Sequence, residues 1–191
     1  MCLCSSIGCV IIKKEGGLIK ARVVVTLDCS RQCPDCCNHT GILAFGKKIT
    51  DIEQLLGYEE IIITGGEPIL IYDKVEAFIK MLRSKQYEGE IYLYSALYRS
   101  WAYEKLLPLV DGLHFTLHAE ARDQDIIELK ALSKVIADFE GKSFRLSIDN
   151  RLYDKYDFSN INFSHWSVIR KLQWLKECPL PAGEELVIFE L

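Results

Sequence analysis

Apolar residues fall in short blocks that alternate with helix-periodic stretches along most of this 191-residue chain. ARVVVTLD is β-branched and too short for a helix, which predicts a buried parallel strand over Ala21 to Asp28. EIIITGG, EIYLYSA, GLHFTLH and SFRLSID predict four more strands. Between them, Val75, Phe78, Ile79 and Leu82 mark a helix over Tyr72 to Arg83. Further helices are predicted over Ser100 to Leu107 and Gln124 to Phe139, the latter with Ile127, Leu132, Val135, Ile136 and Phe139 as its stripe. A short one is expected at Asp51 to Leu56, capped by Thr50 and ended by Gly57. Strand followed by helix, repeated, implies right-handed crossovers and a parallel α/β sheet.

After Asn150 the pattern is open. HWSVIRKLQWL fits a helix through Trp166, Ile169 and Leu172, or a strand through Val168, Leu172 and Trp174. ELVIFEL predicts a final strand, and the first 18 residues read as a hairpin turning at EGG. No linker is long enough to divide the chain, so one domain is expected.

Composition narrows the function. Hydrophobic residues make up 49% of the chain, enough for a full core. The 27 acidic and 23 basic residues are intermixed, with no run of more than two Lys or Arg, which argues against nucleic-acid binding. The N-terminus lacks the charge and apolar length of a signal peptide, and no stretch suits a membrane span. A cytoplasmic setting is therefore expected, where thiols stay reduced. Eight cysteines there favour metal or redox chemistry over a disulfide framework, with some serving as buried apolar filler.

Four of the eight crowd into nine residues of CSRQCPDCCNHT: Cys29, Cys33, Cys36 and Cys37. They follow the first predicted strand. The other strands end in Gly65-Gly66-Glu67, Ser95, His118 and Asp149-Asn150. The C-terminal edge of a parallel sheet is where sites assemble, so these positions predict one composite site. Zinc would need Cys29, Cys33 and Cys36 plus Cys37 or His39 to close tetrahedrally within eleven residues, although neighbouring side chains at Cys36 and Cys37 point apart. A four-iron cluster takes four thiolates; three from one loop would leave one iron open to a small molecule.

C-x3-C-x2-C, as Cys29, Cys33 and Cys36 just after a strand, resembles the signature of the radical S-adenosylmethionine superfamily. ITGGEP, Ile63 to Pro68, resembles the superfamily's GGE motif, which contacts the amino group of bound methionine. YSALY resembles the third-strand segment that contacts the ribose, with Ser95 in the polar position. HFTLHAE resembles the fourth-strand segment, with His118 where an acidic residue is common. The resemblance spans about Val23 to Asp149. It implies a partial (β/α)6 barrel and a [4Fe-4S] cluster on Cys29, Cys33 and Cys36. S-adenosylmethionine would be held with the help of Gly65, Gly66, Glu67, Ser95 and His118. Its reductive cleavage would give a 5′-deoxyadenosyl radical that abstracts hydrogen from a substrate. Gly65 and Gly66 would let backbone approach the ligand, and Glu67 would accept from its ammonium. A flavodoxin- or ferredoxin-like protein would donate the electron.

CPDCCNHT also resembles the segment seen in activating enzymes of glycyl-radical enzymes, such as anaerobic ribonucleotide reductase. Compact small-molecule enzymes, including the 7-carboxy-7-deazaguanine synthases, and peptide-modifying enzymes are further options. A non-catalytic zinc- or cluster-binding module is the option from another class. Asp35 departs from the family's usual aromatic residue before the third cysteine, and Cys37 is left over as a bystander, shield or redox-active thiol. Cys2, Cys4, Cys9 and Cys178 match no auxiliary-cluster spacing, and a long cysteine-rich C-terminal extension is not seen. Tyr92, Tyr94 and Tyr98 read as packing on one sheet face, and His114 as a core or hydrogen-bonded residue. Arg145 and Asp149 read as a substrate anchor or an ion pair. Trp166 and Trp174 read as core or as a cover over the barrel's open side.

Overall fold

The computed structural model describes residues 19–31, 33, 36–173 and 179–191. The expected N-terminal hairpin, Asp35, Trp174, Cys178, Cys2, Cys4 and Cys9 lie outside the described residues. In chain order the strands and helices are β1 (Lys20–Thr26), β2 (Lys47–Lys48), β3 (Glu60–Gly65), α1 (Tyr72–Ser84), β4 (Glu90–Ser95), α2 (Ser100–Leu106), β5 (Gly112–Leu117), α3 (Asp123–Val135), β6 (Ser143–Asp149), β7 (Val168–Leu172) and β8 (Glu184–Ile188). All eight strands form one parallel sheet in the order β2-β8-β1-β3-β4-β5-β6-β7.

Register gives the sheet two unlike faces. Ala21, Val23, Val25, Ile61, Ile63, Ile91, Leu93, Leu113, Phe115, Leu117, Phe144, Leu146 and Ile148 share one face, in a core with α1 to α3. Val75, Phe78, Ile79 and Leu82 of α1 meet it as their spacing predicts. The other face carries Arg22, Thr64, Tyr92, Tyr94, His114, Thr116, Arg145, Ser147 and Arg170. A parallel strand with helices on both sides would be apolar throughout; these strands alternate because only one face is covered by helices.

Several expectations change. The segment after Thr50 is a 3-10 turn, Ile52–Leu55, and Asp51, not Thr50, caps it by accepting from Glu53 N at 2.9 Å. In α3, Ile127 is 61% exposed and points away from the core, which is met by Leu129, Leu132 and Ile136. Within HWSVIRKLQWL, Val168–Leu172 form strand β7, and Trp166 before it is buried and donates to Ser133 Oγ at 2.9 Å, so Trp166 is core. ELVIFEL forms the final strand as expected, β8, which pairs beside β1. Tyr98 lies past the end of β4 and packs on Tyr103, with ring centroids 5.2 Å apart, so it does not share a face with Tyr92 and Tyr94.

Candidate functional site

The site forms where β1 ends. After Thr26 the chain turns into the cysteine loop, which three side-chain contacts pin to the sheet. Asn38 Nδ2 donates to Gly65 O at 3.0 Å, Arg31 donates to Ala96 O at 2.7 Å, and Arg31 is paired with Asp125 at the start of α3. The loop is thus tied to the ends of β3 and β4 and to α3. Cys36 N donates to Cys33 O at 3.1 Å, and Cys29 Sγ accepts from Arg31 N at 3.4 Å.

Cys29, Cys33 and Cys36 are free thiols, and all three line one cavity of about 390 Å³. That volume falls within the roughly 300–1,000 Å³ of small-molecule sites. The same cavity is lined by Gly65, Gly66, Glu67, Ser95 and His118, so the strand ends singled out in the sequence do converge. Asp149 does not line it; its carboxylate pairs with Arg151 at 2.8 Å. Cys37 lines the cavity too and is disulfide-bonded, which keeps it out of the candidate ligand set, as expected of a non-ligand cysteine.

Burial pushes the Cys29 and Cys33 thiols up, the latter to about 12, with Glu120 and Cys36 adding to the rise at Cys33. Clustered thiols that disfavour one another's thiolate form are the donor set a cation suits. A bound metal reverses that balance and deprotonates its thiols outright. On this donor chemistry the three residues fit an iron–sulfur cluster held by three cysteines.

The glycines also have a structural reason at this strand end. Gly65 has φ 136°, and a Cβ there would overlap the carbonyl oxygen of Thr26. At Gly66 it would overlap the carbonyl of Asp28. Their bare backbone lets the end of β3 close on the end of β1, where Gly66 N donates to Thr26 O at 2.7 Å and Glu67 N to Asp28 O at 2.8 Å. The β1–β3 register slips between Val24 and Thr26 at the same place, a bulge that re-aims both strand ends.

Glu67 is 2% exposed rather than solvated. Its carboxylate accepts from Ser95 Oγ at 2.8 Å, Ala96 N at 2.9 Å and Ile69 N at 3.2 Å, locking the end of β3 to the end of β4. Burial pushes this carboxyl above its ordinary range against those donors and the nearby Arg31. Ser95 is drawn into the same lock and also accepts from Leu97 N at 3.1 Å.

His118 is held neutral: burial, then Arg31, lower it to about 4. It stands beside Cys33 and Glu120, with the ligand atoms of the three all within 4.8 Å of one another. This second donor set shares Cys33 with the first.

His114 is buried, 2.6 Å from Ser147 Oγ through Nε2, and packs against Tyr94 with centroids 4.1 Å apart and the rings tilted by 43°. Arg22 lies 4.9 Å above the Tyr94 ring. Sequence reasoning missed Arg31, Asn38, Asp125 and Glu120. Arg31 and Asn38 sit inside the motif and were in view, whereas Asp125 is 94 residues from Arg31 and had no local signal. No protein-family model matches the chain, and no curated protein matches it.

Proposed function

We propose that this chain is a radical S-adenosylmethionine enzyme whose cluster is held by Cys29, Cys33 and Cys36. The observation that carries the reading is three free thiols on one pinned loop, sharing a cavity with Gly65, Gly66 and Ser95; Cys37 lines the same cavity but is disulfide-bonded. Further support comes from the sequential order of β1 and β3 to β7, with all three helices in the core of one face. That pattern suits a partial (β/α)6 barrel whose polar face is the interior.

When bound, the cluster and S-adenosylmethionine supply a 5′-deoxyadenosyl radical that takes hydrogen from the substrate. The chain's own residues do the positioning. Arg31 and Asn38 hold the thiols against the strand ends. Glu67 acts through its lock on Ser95 and Ala96, leaving ligand contact at this edge to backbone groups and to His118. Neutral His118 both donates and accepts one hydrogen bond, and Leu172, Leu180 and Leu186 wall the cavity against water. The electron donor on this reading is a flavodoxin- or ferredoxin-like protein, and the setting is cytoplasmic. Among the described residues no helix is long and apolar enough to cross a membrane. The substrate is a small molecule, a peptide or a glycyl-radical enzyme.

Anaerobically reconstituted protein given dithionite and S-adenosylmethionine is expected to produce 5′-deoxyadenosine, and the Cys29→Ala variant to produce none. No product across several reductants would contradict the reading. A second reading has its own observation, the Cys33, His118 and Glu120 set, which suits a single zinc or similar ion. It predicts one metal per chain that is lost on His118→Ala; the cluster reading predicts full iron content in that variant.

A further inference from the structure

The polar face of the sheet floors the cavity through Arg22, Thr64, Tyr94, His114 and Thr116, and it continues past the lining to Arg145, Ser147 and Arg170. Lys20 is paired with Glu60, Arg22 with Glu184 at 2.7 Å, and Asp149 with Arg151. Arg145 and Arg170 belong to the same face, on β6 and β7. Among the described residues neither forms an ion pair with a carboxylate. Arg145 lies 4.4 Å from the centroid of the Tyr92 ring and donates to Tyr92 Oη at 3.2 Å. This ring orients the guanidinium without neutralising it.

The two arginines bracket a polar pair. His114 is the register neighbour of Arg145, Ser147 is the register neighbour of Arg170, and His114 and Ser147 are hydrogen-bonded to each other. His114 lines the cavity, as does Leu172, two residues beyond Arg170 on the same face. Arg170, Arg22 and Arg145 all act on His114, adding to burial in lowering it to about 3. Leu172, Pro179, Leu180 and Leu186 give the cavity an apolar part.

We propose that Arg145 and Arg170, on either side of His114, bind the carboxylate or phosphate group of a small-molecule substrate that reaches past His114 from the cavity. The proposal rests on the enzyme reading for what happens to that substrate, and it selects a small anionic molecule over a protein loop. A backbone glycine brings no anion to this floor. Guanidinium forks match both carboxylate and phosphate in a two-point fashion.

The test is calorimetric titration of the full-length chain with inorganic phosphate and, separately, with propionate at fixed ionic strength. One of the two is expected to bind saturably, one per chain, and which one binds names the group. Arg145→Gln and Arg170→Gln should each weaken binding about ten-fold or more, with Lys80→Gln, a charge removed elsewhere, unchanged. Arg145→Lys keeps the charge, loses the fork, and should fall between; it serves where Arg145→Gln melts early. Retained anion binding with no 5′-deoxyadenosine from the wild type would sink the enzyme reading alone. No saturable binding of either anion up to about 50 mM, far weaker than the millimolar affinity that about 4 kcal/mol supplies, overturns the anion site, as does wild-type binding in both arginine-to-glutamine variants.

Discussion

Glu67 does its work through the donors it gathers: Ser95 Oγ, Ala96 N and Ile69 N converge on one buried carboxylate. Each buried donor left without an acceptor costs about 1–3 kcal/mol, so Glu67→Ala should lower unfolding stability by at least about 3 kcal/mol in urea titration. A loss under about 1 kcal/mol would show that the lock is dispensable. His114 makes a pH prediction. Its folded value of about 3 lies below the ordinary 6.5, with Arg170, Arg22 and Arg145 adding to burial. Between those values the unfolded chain holds a proton that the folded chain does not, so stability falls as pH drops through that window. The slope contributed by one proton reaches about 1.4 kcal/mol per pH unit. Charged groups facing His114 come from β1, β6 and β7, and Tyr94 of β4 packs against it. The stability difference between wild type and His114→Gln should therefore narrow on acidification from about pH 6.5 to 3. A constant difference across the window would refute this account of His114.

At the scale of elements, the cysteine loop owes its place to contacts across the fold. Arg31 and Asp125 are both largely buried, and removing one charge from a buried pair costs about 3–5 kcal/mol. Asp125→Asn keeps an acceptor for Arg122 N, which now bonds Asp125 Oδ2 at 2.8 Å, so α3 should hold while the loop loosens. Tryptic cleavage after Arg31 should then speed up several-fold with little change in helical circular dichroism; equal cleavage rates would mean that the loop does not depend on this pair. The five β-branched or aromatic runs and α1 were legible because their periods are local. The place of β8 was not. It lies between β1 and β2, and Lys20↔Glu184 pairing is a long-range choice that no local pattern encodes. HWSVIRKLQWL was ambiguous for the same reason, since its periods suit both forms. Its strand form supplies β6 with a partner from Arg145↔Val168 to Asp149↔Leu172.

For the molecule as a whole, the two-faced sheet explains why chemistry-bearing residues cluster. SFRLSID shows this in miniature: Phe144, Leu146 and Ile148 join the core, while Arg145, Ser147 and Asp149 face the other way. Reading such runs as strands was straightforward; seeing that their polar members form one floor required the register. The glycines at the end of β3 were legible as special positions; their part in closing β3 on β1 was not. The central claim is that Cys29, Cys33 and Cys36, and not Cys37, hold an iron–sulfur cluster. Iron and sulfide content after anaerobic reconstitution tests it most directly. About four of each are expected in wild type and in Cys37→Ala, and near-complete loss in Cys29→Ala, Cys33→Ala and Cys36→Ala. One zinc per chain with no iron in the wild type would contradict it.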